Sequence, residues 1–123
     1  MGQARPPMAI VVEDETDQAD LVAALLEEVG FETIEVASAE EALDSLRANA
    51  SRVTLLFTSV QLRSARDGVD LARIVSREWP WIRILVTSGD ARAGQRDLPK
   101  SAKFMPKPWR ALEVLVEAER LAS

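Results

Sequence analysis

Short, wholly apolar runs alternate along the chain with longer segments in which apolar residues recur every three or four positions. An unbroken apolar run of about five residues is typical of a strand covered on both faces, as in a parallel sheet. The run at 31–36 instead alternates apolar and polar residues, which favours a strand nearer the sheet edge. The predicted strands are 8–12, 31–36, 52–58, 82–87 and 102–105. Strands alternating with helices predict an α/β fold around a parallel sheet.

The helical spacing predicts four helices between and after these strands, at about 17–29, 38–49, 67–79 and 109–121. Ser38 and Glu41 have the spacing of a capping box, and Asp67 is predicted to cap the third helix. The segment 90–99 has few apolar residues and contains a glycine and a proline, so a short helix or a loop is expected there. The predicted inward residues are Leu21, Ala24, Leu25 and Val29 in the first helix, and Leu112, Leu115, Val116 and Leu121 in the last.

Length, composition and net charge narrow the class of protein and agree with the predicted α/β fold. A chain of 123 residues with 47% hydrophobic and 28% charged residues is expected to form one globular domain. The net charge of -5 disfavours a nucleic-acid-binding role, because phosphate backbones require clustered Lys and Arg. Cys and His are both absent, which excludes disulfides, thiolate chemistry, a His-based triad and His- or Cys-ligated metal sites.

The hydrophobic runs and the N-terminal residues predict the location of the protein and its domain organisation. No apolar run approaches the roughly 20 residues that span a bilayer, and the N-terminus does not resemble a signal peptide, so a cytoplasmic protein without a membrane partner is expected. Residues 1–7 are expected to be a disordered leader. Residues 8–123 are expected to form one domain, with no output domain following it.

Polar residues follow the predicted strands at the edge where an open parallel sheet forms its sites. Glu13 and Asp14 follow the first strand, Ser59 the third, Thr87 the fourth and Lys107 the fifth. Carboxylates suit a hard cation such as Mg²⁺, whereas a hydroxyl and an ammonium group suit phosphate oxygens. The residues therefore indicate a site of the kind that handles magnesium and a phosphoryl group.

Five short motifs, weak singly, occur in order and at consistent spacing. They are Val12-Glu13-Asp14-Glu15, Leu55-x-Phe57-Thr58-Ser59-x-x-Leu62, Asp67-Gly68-x-x-Leu71-Ala72, Thr87-Ser88-Gly89 and Phe104-Met105-Pro106-Lys107-Pro108. Together they make residues 8–121 resemble a response-regulator receiver domain of two-component signalling. The resemblance implies a doubly wound, flavodoxin-like sheet of order 2-1-3-4-5 flanked by about five helices.

The resemblance also implies a ligand set. Glu13 and Asp14 match the acidic pair that holds Mg²⁺ in the family, with the backbone carbonyl of Gln61 as a further ligand. Lys107 matches the lysine that pairs with a phosphoryl oxygen, and its bond to Pro108 is the one that is cis in the family. No organic cofactor is implied.

Two further residues match the switch positions of the family. Thr87 matches the hydroxyl residue that follows the phosphoryl group, and Phe104 matches the aromatic switch, although plain core packing explains Phe104 equally well. Partners, or a second copy of the chain, are expected on the face formed by the fourth helical region, the fifth strand and the last helix.

The main departure from the family is Ser59, which stands where the resemblance places the phosphoacceptor aspartate. A serine hydroxyl is a poor nucleophile without an activating base, and the chain has no His to supply one. Ser59 also adds no negative charge, so Mg²⁺ binding is expected to be weak, and Lys107 is left able to pair with Asp14. A second departure is Arg63, which replaces a proline common in the family.

The expected function is a degenerate receiver-like module that is not an enzyme and acts by binding signalling proteins, such as a sensor kinase, a phosphotransferase or a downstream regulator. The alternative is a phosphorelay receiver still regulated by phosphorylation at Ser59 or a neighbouring residue. Asp67 is disfavoured as a substitute acceptor because its helix-capping role explains it better.

Two enzyme-like alternatives fit less well. A haloacid-dehalogenase-type phosphatase needs aspartates at two positions of the first loop where this chain has Glu13 and Glu15. A flavodoxin-type FMN protein needs a phosphate loop after the first strand, and the acidic loop here would repel phosphate.

Overall fold

Five parallel strands form the centre of the structure, a computed structural model that describes residues 5–90, 92 and 96–122. Their order is β2-β1-β3-β4-β5, and every neighbouring pair is parallel. This confirms the predicted parallel sheet and its order, with β2 at one edge. The strands are β1 (Met8–Val12), β2 (Glu32–Val36), β3 (Val53–Ser59), β4 (Arg83–Ser88) and β5 (Ala102–Pro106).

Helices cover both faces of the sheet because successive strand residues point to opposite sides. The helices are α1 (Thr16–Glu28), α2 (Ala39–Asn49), α3 (Gly68–Glu78) and α4 (Ala111–Ala122). On β1, Ile10 and Val12 pack in the cluster that α2 and α3 cover, whereas Ala9 and Val11 pack in the cluster that α1 and α4 cover. None of these helices is long and apolar enough to cross a membrane.

The described residues contain four α-helices, one fewer than the five or so implied by the family resemblance. The difference falls between β4 and β5. The described positions there, 90, 92 and 96–101, include no α-helix, and the remaining positions of the segment lie outside the description. Residues 1–4 of the predicted leader lie outside it as well.

Both predicted helix caps are present. The Ser38 hydroxyl accepts a hydrogen bond from the Glu41 N–H at 3.1 Å, although the Glu41 carboxylate accepts from the N–H of Ala37 and not of Ser38. The Asp67 carboxylate accepts two backbone N–H groups of the first turn of α3, each at 2.9 Å. Asp70 completes this capping box by accepting the Asp67 N–H at 3.1 Å. Asp67 thus fixes where α3 begins, directly beyond the end of β3.

The predicted inward face of α1 is wrong for Leu21 and Ala24 but agrees with the packing of Leu25 and Val29 against the core. Leu21 is 52% exposed and Ala24 is also exposed, while Leu25 and Val29 are only partly buried. Helix α1 carries apolar residues on more than one side, so the large side chains alone do not reveal which side packs on the sheet. The buried residues are Ala19, Val22, Ala23 and Leu26.

The predicted inward face of α4 is wrong for Leu112 and Val116, whereas Leu115 is half-buried. Leu112 is 67% exposed and Val116 is 45% exposed, whereas Val114 and Ala118 are fully buried against the sheet. The side chain of Leu121 lies outside the description. The small side chain of Ala118 allows α4 to approach the sheet closely, which leaves two larger apolar residues facing outward.

The two valines of α4 provide a matched test of this orientation. Val114→Ala is expected to lower the free energy of unfolding by about 2 kcal/mol, because it removes two methyl groups from a fully buried position. Val116→Ala makes the same chemical change at a half-exposed position and is expected to stay within about 0.5 kcal/mol of the wild type. Urea unfolding of both variants measures the difference, and a larger loss for Val116→Ala would contradict the orientation of α4.

Candidate functional site

The strands end at a common edge, where a cavity of about 340 Å³ lies between the loops that follow β1, β3 and β5. Ser59 and Thr87 are directly paired on the adjacent strands β3 and β4. Most of the candidate residues line the cavity. Thr87 does not line it but is the neighbour of Ser59 in the sheet. The lining residues are Glu13, Asp14, Glu15, Ser59, Gln61, Leu62, Arg63 and Lys107.

Glu13 lies at the centre of the site and is only 8% exposed. The Ser59 hydroxyl donates a hydrogen bond to its Oε1 at 2.6 Å, and the Lys107 ammonium lies 3.5 Å from the same oxygen. The other carboxylate oxygen accepts the backbone N–H of Glu15 at 3.3 Å. Both oxygens of this buried carboxylate are therefore engaged by groups of the chain itself.

Lys107 pairs with Glu13 and not, within the described part of the chain, with Asp14. The predicted alternative pairing is therefore wrong. The ammonium also donates to the side-chain carbonyl of Gln18 at 3.0 Å, and Gln18 in turn donates to Glu15 at 2.7 Å. Sequence reasoning missed Gln18, although its position three residues after Glu15 on a predicted helix was an available signal.

Asp14 is held from the other side of the cavity, by Arg63. The Arg63 backbone N–H donates to Asp14 Oδ2 at 3.0 Å, and the guanidinium Nε lies 3.8 Å from the same oxygen. The Asp14 side chain is 17% exposed, whereas that of Arg63 is 87% exposed. Arg63 therefore lies over the mouth of the cavity and supplies both a donor and a positive charge to Asp14.

These contacts decide how well the site fits Mg²⁺. The ion requires several oxygen ligands in near-octahedral geometry and favours carboxylates that are free to coordinate. Here Glu13 and Asp14 each have an oxygen paired with a cationic side chain, and Ser59 contributes no charge. Residues 5–90, 92 and 96–122 include no group of three or more acidic residues arranged to hold a metal. Weak Mg²⁺ binding at these residues stays a prediction.

The remaining predicted residues lie around this centre. The Thr87 side chain is buried, and its hydroxyl has no hydrogen-bond partner among the described residues. The Gln61 side chain accepts a hydrogen bond from Ser88 at 3.0 Å. Phe104 is half-buried against the cluster under α2 and α3. The Lys107–Pro108 bond is cis. The switch roles of Thr87 and Phe104, and the ligand role of the Gln61 carbonyl, stay predictions.

Asp67 is committed to structural contacts. In addition to capping α3, its Oδ2 accepts a hydrogen bond from the Arg96 guanidinium at 2.7 Å. Partial burial opposes ionisation, but the hydrogen bonds from Arg96 and the backbone outweigh it and lower the pKa of the Asp67 carboxyl. These contacts confirm the predicted capping role of Asp67.

Comparison with known proteins gives one consistent family. The family model described as the response regulator receiver domain matches residues 9–118. The nitrogen assimilation regulatory protein NtrX of Azorhizobium caulinodans is 31% identical over 115 residues, which cover 90% of this chain and 25% of that protein. The chain thus spans about a quarter of the length of this relative.

Solved structures agree with the family model. The receiver domain of NtrX from Brucella abortus is 29% identical, with a TM-score of 0.78, covering 93% of this chain and 97% of that one. A sensor protein from Polaromonas sp. JS666 is 25% identical, with a TM-score of 0.80, covering 94% of this chain and 95% of that one. A receiver domain protein from Clostridium thermocellum has a TM-score of 0.82 at 21% identity and shows the shared fold.

Proposed function

The chain belongs to the response regulator receiver domain family, and we propose that it is a degenerate receiver, a two-component signalling module that binds a protein partner without being phosphorylated on an aspartate. Receiver domains are signalling modules and generally not enzymes, and we propose no catalytic activity here. Sensor kinases, phosphotransferases and downstream regulators are the classes of partner that this proposal includes.

One observation carries the proposal: the residue at the carboxyl end of the central strand β3 is a serine, Ser59, whose hydroxyl donates to the carboxylate of Glu13 at 2.6 Å. An acyl phosphate requires a carboxylate at the position that faces the phosphodonor. Glu13 and Asp14 lie in the same cavity, but each is already held by a cationic side chain. Neither of these two carboxylates is at the end of the central strand, where Ser59 stands.

Phosphorylation of Ser59 itself is supported less well. Ser59 is 3% exposed, and a protein kinase would need its hydroxyl to be accessible. A phosphoryl group on Ser59 would also lie beside the carboxylates of Glu13 and Asp14, where like charges repel. The buried position thus favours a module that works without modification of this residue.

The proposed partner surface is the β5–α4 face, which consists of Lys103, Phe104, Leu112, Val116 and Glu117. Leu112 and Val116 are large apolar residues exposed on α4. Lys103 and Glu117 form an ion pair at 2.5 Å beside them. Apolar residues rimmed by charges are typical of protein-binding surfaces. This surface lies next to the Lys107 loop, so binding there can respond to the arrangement of the site.

Incubation with Mg²⁺ and acetyl phosphate tests the proposal directly. The intact mass of the wild-type protein is expected to stay unchanged, because Ser59 is a weak nucleophile without an activating base. A receiver domain with an intact aspartate site, treated in parallel, shows that the reagent is active. Stoichiometric addition of a phosphoryl group to the wild-type chain, at Ser59 or at any carboxylate of the cavity, would contradict the proposal.

A further inference from the structure

We propose that Arg63 acts as a built-in cation that takes the place of a divalent metal ion beside Asp14 in the cavity. The inference rests on the proposed function and deepens it, since it names the residue that makes the resting site independent of metal.

Two of the three acidic residues of the cavity each face one cationic side chain. The ammonium of Lys107 lies 3.5 Å from an oxygen of Glu13, and the guanidinium of Arg63 lies 3.8 Å from an oxygen of Asp14. Glu13 and Asp14 are mostly buried, with side chains that are 7% and 17% exposed, so each would be unfavourable without a nearby positive charge. A divalent cation at Asp14 would compete with the guanidinium for the same oxygen.

Arg63 contacts Asp14 through its backbone N–H as well as through its side chain. Its N–H donates to the same Asp14 oxygen at 3.0 Å, so this oxygen is turned towards the loop after β3. Proline, which has no N–H, could not make this contact. Arginine at position 63 thus supplies two attractions that hold Asp14 away from a metal, and the two can be removed separately.

The test is a titration of the full chain with MgCl₂ at constant ionic strength, followed by ¹H–¹⁵N spectra. Arg63→Ala removes the guanidinium and keeps the N–H, whereas Arg63→Pro removes both. Arg66→Ala is the matched control, since it removes the same charge from the same loop, but Arg66 pairs with Glu40 at 3.6 Å outside the cavity. Differences from this control therefore report the contact with Asp14 and not the net charge.

The wild type and Arg66→Ala are expected to bind Mg²⁺ weakly at Glu13, Asp14 and Ser59, so the titration is extended until each variant gives a dissociation constant. Arg63→Ala is expected to bind about two- to fivefold more tightly than Arg66→Ala, because the lost ion pair is exposed. Arg63→Pro is expected to bind more tightly still. If Arg63→Pro does not fold, the comparison of the two alanine variants decides.

Equal Mg²⁺ affinities in Arg63→Ala and Arg66→Ala, or wild-type binding as tight as that of Arg63→Ala, would overturn the inference. Neither result would affect the proposed function, which depends on phosphoryl transfer and is measured separately by intact mass. A wild type that binds Mg²⁺ as tightly as Arg63→Ala but gains no phosphoryl group would contradict this inference alone. A wild type that gains one would contradict the proposed function.

Discussion

Replacing Gly68 with alanine is expected to lower the free energy of unfolding by about 3 kcal/mol, as expected for a side chain forced into a filled space. An added Cβ would lie 1.9 Å from the carbonyl oxygen of Ser59 and 2.7 Å from its carbonyl carbon. Both are backbone atoms at the end of the central strand, so a side-chain rotation cannot relieve the contact. The start of α3 or the end of β3 must move instead.

The helix propensity of alanine acts in the opposite direction to this clash. Gly68 is the first residue of α3, and alanine is the better helix former, so without the clash Gly68→Ala would be neutral or stabilising. Gly89→Ala is the matched control because its Cβ would meet no atom within 4 Å. Urea unfolding measures both. A Gly68→Ala protein as stable as Gly89→Ala would show that α3 does not lie this close to Ser59.

Replacing Ser59 with aspartate is expected to destabilise the protein by about 2 kcal/mol in the absence of metal. The new carboxylate would lie where the Ser59 hydroxyl now donates to Glu13 at 2.6 Å, and a donor would be replaced by a negative charge. Two buried carboxylates at this distance repel each other and cannot both ionise readily. Mg²⁺ that binds only the folded state is expected to restore stability by mass action, about 2.7 kcal/mol at a hundred times its dissociation constant.

Ser59→Asn separates charge from size in this experiment. Asparagine has the shape of aspartate but no negative charge, so its unfolding is expected to be independent of Mg²⁺. Thermal unfolding of both variants in EDTA and in MgCl₂ gives the comparison, and intact mass after acetyl phosphate shows whether Ser59→Asp gains a phosphoryl group. If Ser59→Asp is as stable as Ser59→Asn in EDTA, the electrostatic description of the site is wrong.

The strands could be predicted from sequence because their signal is local. The run from Leu55 to Phe57 is apolar whichever neighbour it meets, and it is buried on both faces as predicted. The caps at Ser38 and Asp67 were equally predictable, since each depends on residues three positions apart. These features require no knowledge of the rest of the chain.

The helix faces could not be predicted because they depend on tertiary packing. Leu21 and Leu112 suggested inward faces that the structure leaves exposed, while alanines such as Ala19 and Ala118 lie inside. Short side chains allow a helix to pack closely on the sheet, and a ranking by hydrophobic size overlooks them.

The residues of the site could be predicted from the sequence, but the contacts between them could not. The resemblance placed Glu13, Ser59 and Lys107 near one another, and the structure brings them together in one cavity. The resemblance could not show that Lys107 contacts Glu13 and Gln18, or that Arg63 contacts Asp14. Those contacts depend on loop conformations and on the position of α1 relative to β5, neither of which is encoded in a short motif.

The central claim is that this receiver fold works without an acyl phosphate, and a titration of the wild-type chain with Mg²⁺ and beryllofluoride tests it most directly. Beryllofluoride forms a phosphoryl mimic on a reactive carboxylate, so Ser59→Asp serves as the positive control. The wild type is expected to show no saturable change in the ¹H–¹⁵N signals of Glu13, Ser59 or Thr87. Saturable shifts at these residues in the wild type would contradict the claim.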